Sequence, residues 1–136
     1  MFRVTREITF CYGHRLLNYD GKCRHLHGHN GKAVITLQAG QLDERGMVMD
    51  FAEIKQVLNN WIDANLDHKM LLHRDDPVLP LLRSLREPVF VMAVNPTAES
   101  IARLIFDFAK GQGYPIVEVQ LWETDTCYAT YREGEW

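Results

Sequence analysis

Within "GKCRHLHGHNGK", residues 21–32, Cys23, His25, His27 and His29 occupy alternate positions, although the whole chain holds only three cysteines and six histidines. On an extended backbone such positions project to one side. An H-x-H pair on a strand lets both imidazoles reach one tetrahedral ion, in the manner of three-histidine zinc sites that keep a fourth position open. His27 and His29 form that pair, and the third ligand must come from elsewhere. His14, in "CYGHRL", is the best candidate, because sequential strands tend to be neighbours and bring their connected ends together. His25 competes poorly, since three consecutive alternate residues diverge along a strand. No C-x-x-C, H-E-x-x-H or P-C-x-x-C pattern is present, which argues against a cysteine-rich structural site, a zinc protease and a deaminase.

Three further groups carry potential chemistry. Cys23 is a candidate fourth ligand, nucleophile or base, and Lys22, Arg24 and a nearby cation would favour its thiolate. Asp67 and His68 are an acid and an imidazole that could pair for proton transfer; a helix-terminal cap is the plainer reading. Glu123, in "QLWETDT", shares parity with Val117, Val119 and Leu121, so a carboxylate falls on an apolar sheet face, where it is costly unless paired. Two hydrogen bonds from the N–H edge of a guanine-like or pterin ring would satisfy it, as would bending out to water. Cys11 and Cys127 read as small packed strand residues, and His73, Asp75 and Asp76 as loop surface.

These groups need a scaffold. Alternation in "FRVTREITF" places a strand over residues 2–11, and "KAVITLQAG" supplies a second directly after the histidines. In "DFAEIKQVLNNWIDANL" the period changes to three and four residues, with Asp50 and Glu53 as a capping box, which predicts a helix over 51–65. "NPTAESIARLIFDFAKG" predicts another, with Thr97 as N-cap and Gly111 as stop. Between them, residues 66–95 hold Pro77, Pro80 and Pro88 and one short apolar run, "VFVMAV", readable as a minor strand. "IVEVQLWE" and "CYATYR" predict a closing hairpin. The expected fold is α+β: a four-stranded antiparallel sheet with two helices on one face, ββααββ, in a single domain over 1–136. Its edges need covering, and a neighbouring subunit would cover them.

Composition bounds the partners. The chain of 136 residues has 15 basic and 18 acidic side chains, a formal charge of −3, and no basic run to track a phosphate backbone, so nucleic acid is not expected. No apolar stretch approaches a bilayer span and the first residues do not read as a secretion signal, so no membrane role is expected. An odd number of cysteines at irregular spacing suggests a reducing, cytoplasmic setting.

The segments "FCYGHRL", "CRHLHGHN", "GMVMDFAEIK", "LDHKML", "NPTAES" and "WETDT", in this order over nearly the whole chain, resemble the family of 6-pyruvoyl- and 6-carboxy-tetrahydropterin synthases. The resemblance implies the tunnelling fold, in which trimers join their sheets into a barrel and two trimers stack into a homohexamer with active sites at subunit interfaces. It implies Zn2+ on His14, His27 and His29, a catalytic Cys23, a catalytic Asp67–His68 pair, and a pterin-anchoring Glu123, with Thr97 and Glu99 as further pocket residues. The implied substrate is 7,8-dihydroneopterin triphosphate. Pyruvoyl synthases eliminate triphosphate and keep the three-carbon side chain; carboxy synthases, which serve queuosine and other deazapurine pathways, also release acetaldehyde.

The short C-x-x-x-H-G-H spacer is similar to that of the bacterial carboxy synthases, and a 6-carboxy product is therefore expected. Two features depart from the family's pattern: His25 within the spacer, an extra base or ligand, and the insert over 71–88, which would reshape the pocket rim. A non-catalytic zinc-binding paralogue would hold zinc without consuming the substrate. A three-histidine zinc hydrolase or hydratase would have no pterin pocket and no need of Cys23.

Overall fold

The computed structural model describes residues 1–136. Strands β1 (Phe2–His14) and β2 (His27–Ala39) run antiparallel in unbroken register, from Phe2 opposite Ala39 to His14 opposite His27. Both are longer than expected. Each extends beyond its alternating stretch so that His14 lies at the last position of β1 and the H-x-H pair opens β2. Along β1 the inward residues Ile8, Phe10, Tyr12 and His14 are buried, so the apolar stripe grades into the histidine without changing face.

The first predicted helix forms over the expected residues as one rod: α1 (Phe51–Ile54), a π-helical stretch (Lys55–Asn59) and α2 (Asn60–Asn65). Asp50 caps it by accepting from the Ala52 N–H at 2.8 Å. Ile54, Leu58 and Ile62 are fully buried beneath it. The second long helix is α4 (Ala98–Gly111), capped by Thr97, whose hydroxyl accepts from the Ser100 N–H at 3.1 Å. Trp61 stacks on Phe108, with centroids 4.5 Å apart and planes 15° from parallel, and this contact joins the two helices. Ile101, Ile105 and Phe106 meet Ile35, Leu37, Val119 and Leu121 in one core under the sheet.

The sheet corrects the expected four antiparallel strands. It has six, ordered β4-β3-β1-β2-β5-β6. Residues 66–95 supply β3 (Lys69–His73) and β4 (Val89–Met92), joined by the short helix α3 (Leu79–Ser84) with Pro80 in its first turn. Strand β3 pairs parallel to β1, and β4 parallel to β3, so the sheet is mixed. These strands span only five and four residues, too few for alternation to separate them from loop. The expected hairpin is β5 (Ile116–Trp122) with β6 (Tyr128–Tyr131). A register shift opposite Thr36 and Leu37 buries Ile116 in place of Val117, while Val119 and Leu121 keep the expected inward parity. No helix is long and apolar enough to cross a membrane.

Candidate active site

The β1–β2 register builds the first cluster. His14 stands opposite His27, and His29 opposite Tyr12, so three imidazoles from residues 13 and 15 positions apart converge at one end of the sheet. Their ring centroids lie 4.6–5.0 Å apart, and one ligating atom from each falls within 4.8 Å of the other two. The His14 Nδ1–H donates to the Pro96 carbonyl at 2.6 Å, and the His27 Nδ1–H donates to the His25 carbonyl at 2.7 Å. Each bond fixes a tautomer that leaves Nε2 with its lone pair free, the arrangement by which metal-binding histidines are held.

His14 and His29 bring their Nε2 atoms to 3.1 Å. Two nitrogens of a tetrahedral zinc site, each about 2.0–2.1 Å from the ion, stand at about 3.3 Å, so the donor set fits such a group. Burial lowers the pKa of both, against the raising influence of the Pro96 carbonyl and Glu123 on His14 and of Glu123 on His29. Neutral imidazole is therefore favoured, which is the form a metal requires. The side chain of His25 takes no part in the cluster; its contribution is the backbone carbonyl that orients His27.

Cys23 departs from the expected line of four. It sits half-buried in a 3₁₀ turn, Lys22–Arg24, whereas strand geometry begins at His27. The turn is tied to the end of β1 through the Leu16 N–H, which donates to the Cys23 carbonyl at 2.8 Å. Its thiol belongs to neither group of converging ligating side chains.

The second such group is Cys11, Asp67 and His68. The Cys11 N–H donates to Asp67 Oδ1 at 2.9 Å, and the His68 N–H donates to the Cys11 carbonyl at 2.6 Å. The His68 Nδ1–H in turn donates to Asp67 Oδ2 at 2.8 Å. His68 has φ +58°, a left-handed conformation uncommon outside glycine, and strand β1 holds it there. Burial works against the Asp67 carboxylate, but the Cys11 N–H and His68 outweigh it and its pKa is lowered. The acid thus orients the imidazole and leaves Nε2 outward, so the expected pair is formed. Cys11 corrects a reading: it is exposed, as is Cys127, and not packed in the core. Its parity with Thr9, opposite to that of Phe10 and Tyr12, was the available signal.

Glu123 follows β5 and keeps the inward parity of Leu121. Its carboxylate oxygens lie 3.9 Å from His14 Nε2 and 3.8 Å from His29 Nε2, and its side chain is 26% exposed. Thr97 and Glu99 open α4 directly after Pro96, the residue that accepts from His14. Glu99 and Glu123 share a shallow recess of about 160 Å³ with Ala98 and Tyr128. A larger cavity of about 700 Å³ is lined by Cys11, His29 and His68 on one side and by Leu82, Leu85 and Glu87 on the other. The insert over 71–88 therefore does form part of a rim.

Sequence reasoning missed three supports. Asp76, read as loop surface, is 2% exposed and takes two hydrogen bonds from Arg15, one of them from Nε at 2.7 Å, beside His14. Asn95 accepts from the Leu17 N–H at 2.8 Å and donates to the Leu17 carbonyl at 2.9 Å, pinning the chain after His14 to the segment before α4. Tyr12 lies between the histidines and the core, its ring 5.3 Å from His14 and 5.6 Å from His29. The alternation of β1 placed Tyr12 inside; partners 61 and 78 residues away left no local trace.

Comparison with known proteins gives a consistent picture. The chain is 37% identical over 139 residues to a 6-carboxy-5,6,7,8-tetrahydropterin synthase of Rickettsia typhi, covering 94% of this chain and 98% of that one. It is 34% identical to the protein of the same name from Haemophilus influenzae, covering 98% and 100%. Among solved structures, a protein of Wolinella succinogenes superimposes with a TM-score of 0.83 at 28% identity, covering 98% of each chain. The Caenorhabditis elegans 6-pyruvoyl tetrahydropterin synthase, at a TM-score of 0.73 and 21% identity over 98% and 96% of the two chains, shares the fold. The family model described as 6-pyruvoyl tetrahydropterin synthase matches residues 3–134, and the chain belongs to that family.

Proposed function

We propose that this protein is a zinc-dependent lyase that converts 7,8-dihydroneopterin triphosphate to 6-carboxy-5,6,7,8-tetrahydropterin, with release of acetaldehyde and triphosphate. The observation that carries the choice of product is the near full-length similarity, at 34–37% identity, to proteins named for that product. The short spacer between Cys23 and His27 agrees with it. The reaction would belong to queuosine or related deazapurine synthesis in the cytoplasm, carried out by one pterin synthase-like domain over residues 1–136.

In this reading His14, His27 and His29 hold Zn2+, supported by their converging nitrogens and by the two carbonyls that set the tautomers of His14 and His27. When bound, the ion acts as a Lewis acid on the substrate's side-chain oxygens and acidifies the adjacent carbon. His68 Nε2 is the proton acceptor, with Asp67 fixing its tautomer and stabilising the imidazolium. Cys23 is the second proton carrier. Glu123 accepts two hydrogen bonds from the N–H edge of the pterin, and Thr97 and Glu99 form the wall beside it. Cys23 and the Asp67–His68 pair are separate within one chain, and an active site at a subunit interface of a homohexamer would join them.

The test is incubation of the zinc-loaded protein with 7,8-dihydroneopterin triphosphate, followed by trapping of acetaldehyde and mass analysis of the pterin. Acetaldehyde and triphosphate are expected in equal amounts. Triphosphate without acetaldehyde would assign the pyruvoyl product instead, and zinc binding without turnover would make the chain a non-catalytic relative.

A further inference from the structure

The Tyr12 hydroxyl is the one buried side-chain oxygen that makes no hydrogen bond, in a residue only 3% exposed. Its ring is held on three sides. Phe10 lies 5.4 Å away, His14 meets it edge-on at 5.3 Å and 81°, and His29 lies at 5.6 Å. The remaining wall is the Gly31 backbone: a Cβ added there would stand 2.8 Å from Tyr12 Cε1 and 3.2 Å from Cδ1. Ring carbons cannot move aside as a flexible chain end can, so Gly31 is what admits the tyrosine. An aromatic ring with a polar tip has been fitted beside the histidines, and the tip is without a partner.

Leaving a buried hydroxyl unpaired is unfavourable, so an acceptor should be within its reach. Two kinds face it. One is the pair of Nε2 atoms of His14 and His29, which are hydrogen-bonded to each other and would be the atoms that hold a metal ion here. The other is the Glu123 carboxylate, which lies 3.8–3.9 Å from the same two nitrogens. A phenol keeps its proton at neutral pH and so can serve as the donor. A carboxylate this close to the histidines has two competing uses: to join the metal, or to stay free for a ligand's paired N–H groups. A phenol donating to one oxygen would settle the competition by fixing the carboxylate's orientation.

We infer that Tyr12 is a positioning residue whose hydroxyl donates to the Glu123 carboxylate and holds it for the ligand's N–H edge and off the metal. The role in ligand binding rests on the pterin reading above; the hydrogen bond itself does not. The test uses Tyr12→Phe, which keeps the ring and its packing, alone and in a Glu123→Gln background, with 7,8-dihydroneopterin titrated by fluorescence against the metal-loaded protein. A hydrogen bond to a charged group predicts that Tyr12→Phe weakens binding roughly tenfold with metal content unchanged, and that it adds nothing once Glu123 is glutamine. Equal losses in both backgrounds, or no loss, would overturn the proposal. A second readout does not involve the pterin. With 13Cζ-labelled tyrosine, the Tyr12 resonance, identified among the five tyrosines by its loss in Tyr12→Phe, should shift in Glu123→Gln. An unmoved resonance would refute the hydrogen bond. A shifted resonance in a protein that binds no pterin would refute the pterin reading and leave the bond standing.

Discussion

His14 Nε2 and His29 Nε2 approach to 3.1 Å, and because the Nδ1–H of His14 is committed to the Pro96 carbonyl, the His29 Nε2–H is the donor and His14 Nε2 the acceptor. Loss of the shared proton would leave both lone pairs directed at one cation. Replacing His27 or His29 with alanine should therefore remove most of the metal from the purified protein, read by elemental analysis at about one ion per chain in the parent. The pH dependence has a definite sign. Both His14 and His29 are shifted below the ordinary value of 6.5, chiefly by burial, so protons compete with the metal only at lower pH. Dialysis over a pH series should show release with a midpoint below 6.5; release beginning well above it would contradict the burial.

Asp76 and Arg15 provide a stability test. The Arg15 hydrogen bonds foremost, and the Val78 N–H after them, hold the Asp76 carboxyl below its ordinary value of 3.8, against a burial effect that raises it. A depressed carboxylate contributes stability that is fully present above the unfolded-state value and is lost as pH falls through the folded one. Removing one partner of a buried pair leaves the other charge uncompensated, so Asp76→Asn should cost about 3 kcal/mol at neutral pH, seen as an earlier urea midpoint. The gap between variant and parent should narrow as pH falls below 3.8. A constant gap would mean that the loss comes from packing and not from charge.

The parts of the molecule legible in advance were those governed by local periodicity. Val4, Ile8 and Phe10 alternate, and Ile54, Leu58 and Ile62 recur at helical intervals, so the body of each long strand, short of its histidine end, and both main helices could be read directly. The H-x-H pair was legible because two ligands on one strand need no knowledge of the fold, and His14 because adjacent strands share an end. Strands β3 and β4 were not legible: four or five apolar residues between prolines gain their structure from pairing with β1, a contact distant in sequence. The local backbone at Cys23 was not legible for a related reason. Alternation in "CRHLHGH" is a statement about an extended chain, and the backbone at Lys22–Arg24 turns instead. Asp76 looked like surface because its charge is matched by Arg15, 61 residues away.

Cys23 and the metal site should be separable by substitution. The thiol lies in a turn outside the group of His14, His27 and His29, and the proposed role is proton chemistry. Cys23→Ala should keep metal content and thermal stability at parent levels while turnover of 7,8-dihydroneopterin triphosphate falls by a factor of about 100 or more, the scale of a lost general acid or base. Loss of metal together with turnover would make Cys23 a ligand.

The two outermost strands lead to the last prediction. Strand β4 ends the sheet beyond β3, and β6 ends it beyond β5, so each presents one unpaired row of backbone donors and acceptors. Isolated proteins usually blunt such edges with charge, proline or a covering helix. Here β4 reads Val89, Phe90, Val91 and Met92, and β6 reads Tyr128, Ala129, Thr130 and Tyr131, without a charged residue in either. Pairing β4 of one subunit with β6 of the next would remove both edges at once, and a head-to-tail contact of this kind closes into a ring when its rotation allows. We therefore expect trimers, or dimers of trimers, by light scattering at micromolar concentration. Placing a lysine at Val91 or Thr130 should shift the distribution toward monomer, because a charge facing the neighbouring strand opposes pairing. A monomeric parent protein would rule out the closed barrel and, with it, an active site that draws Cys23 and the Asp67–His68 pair from two chains.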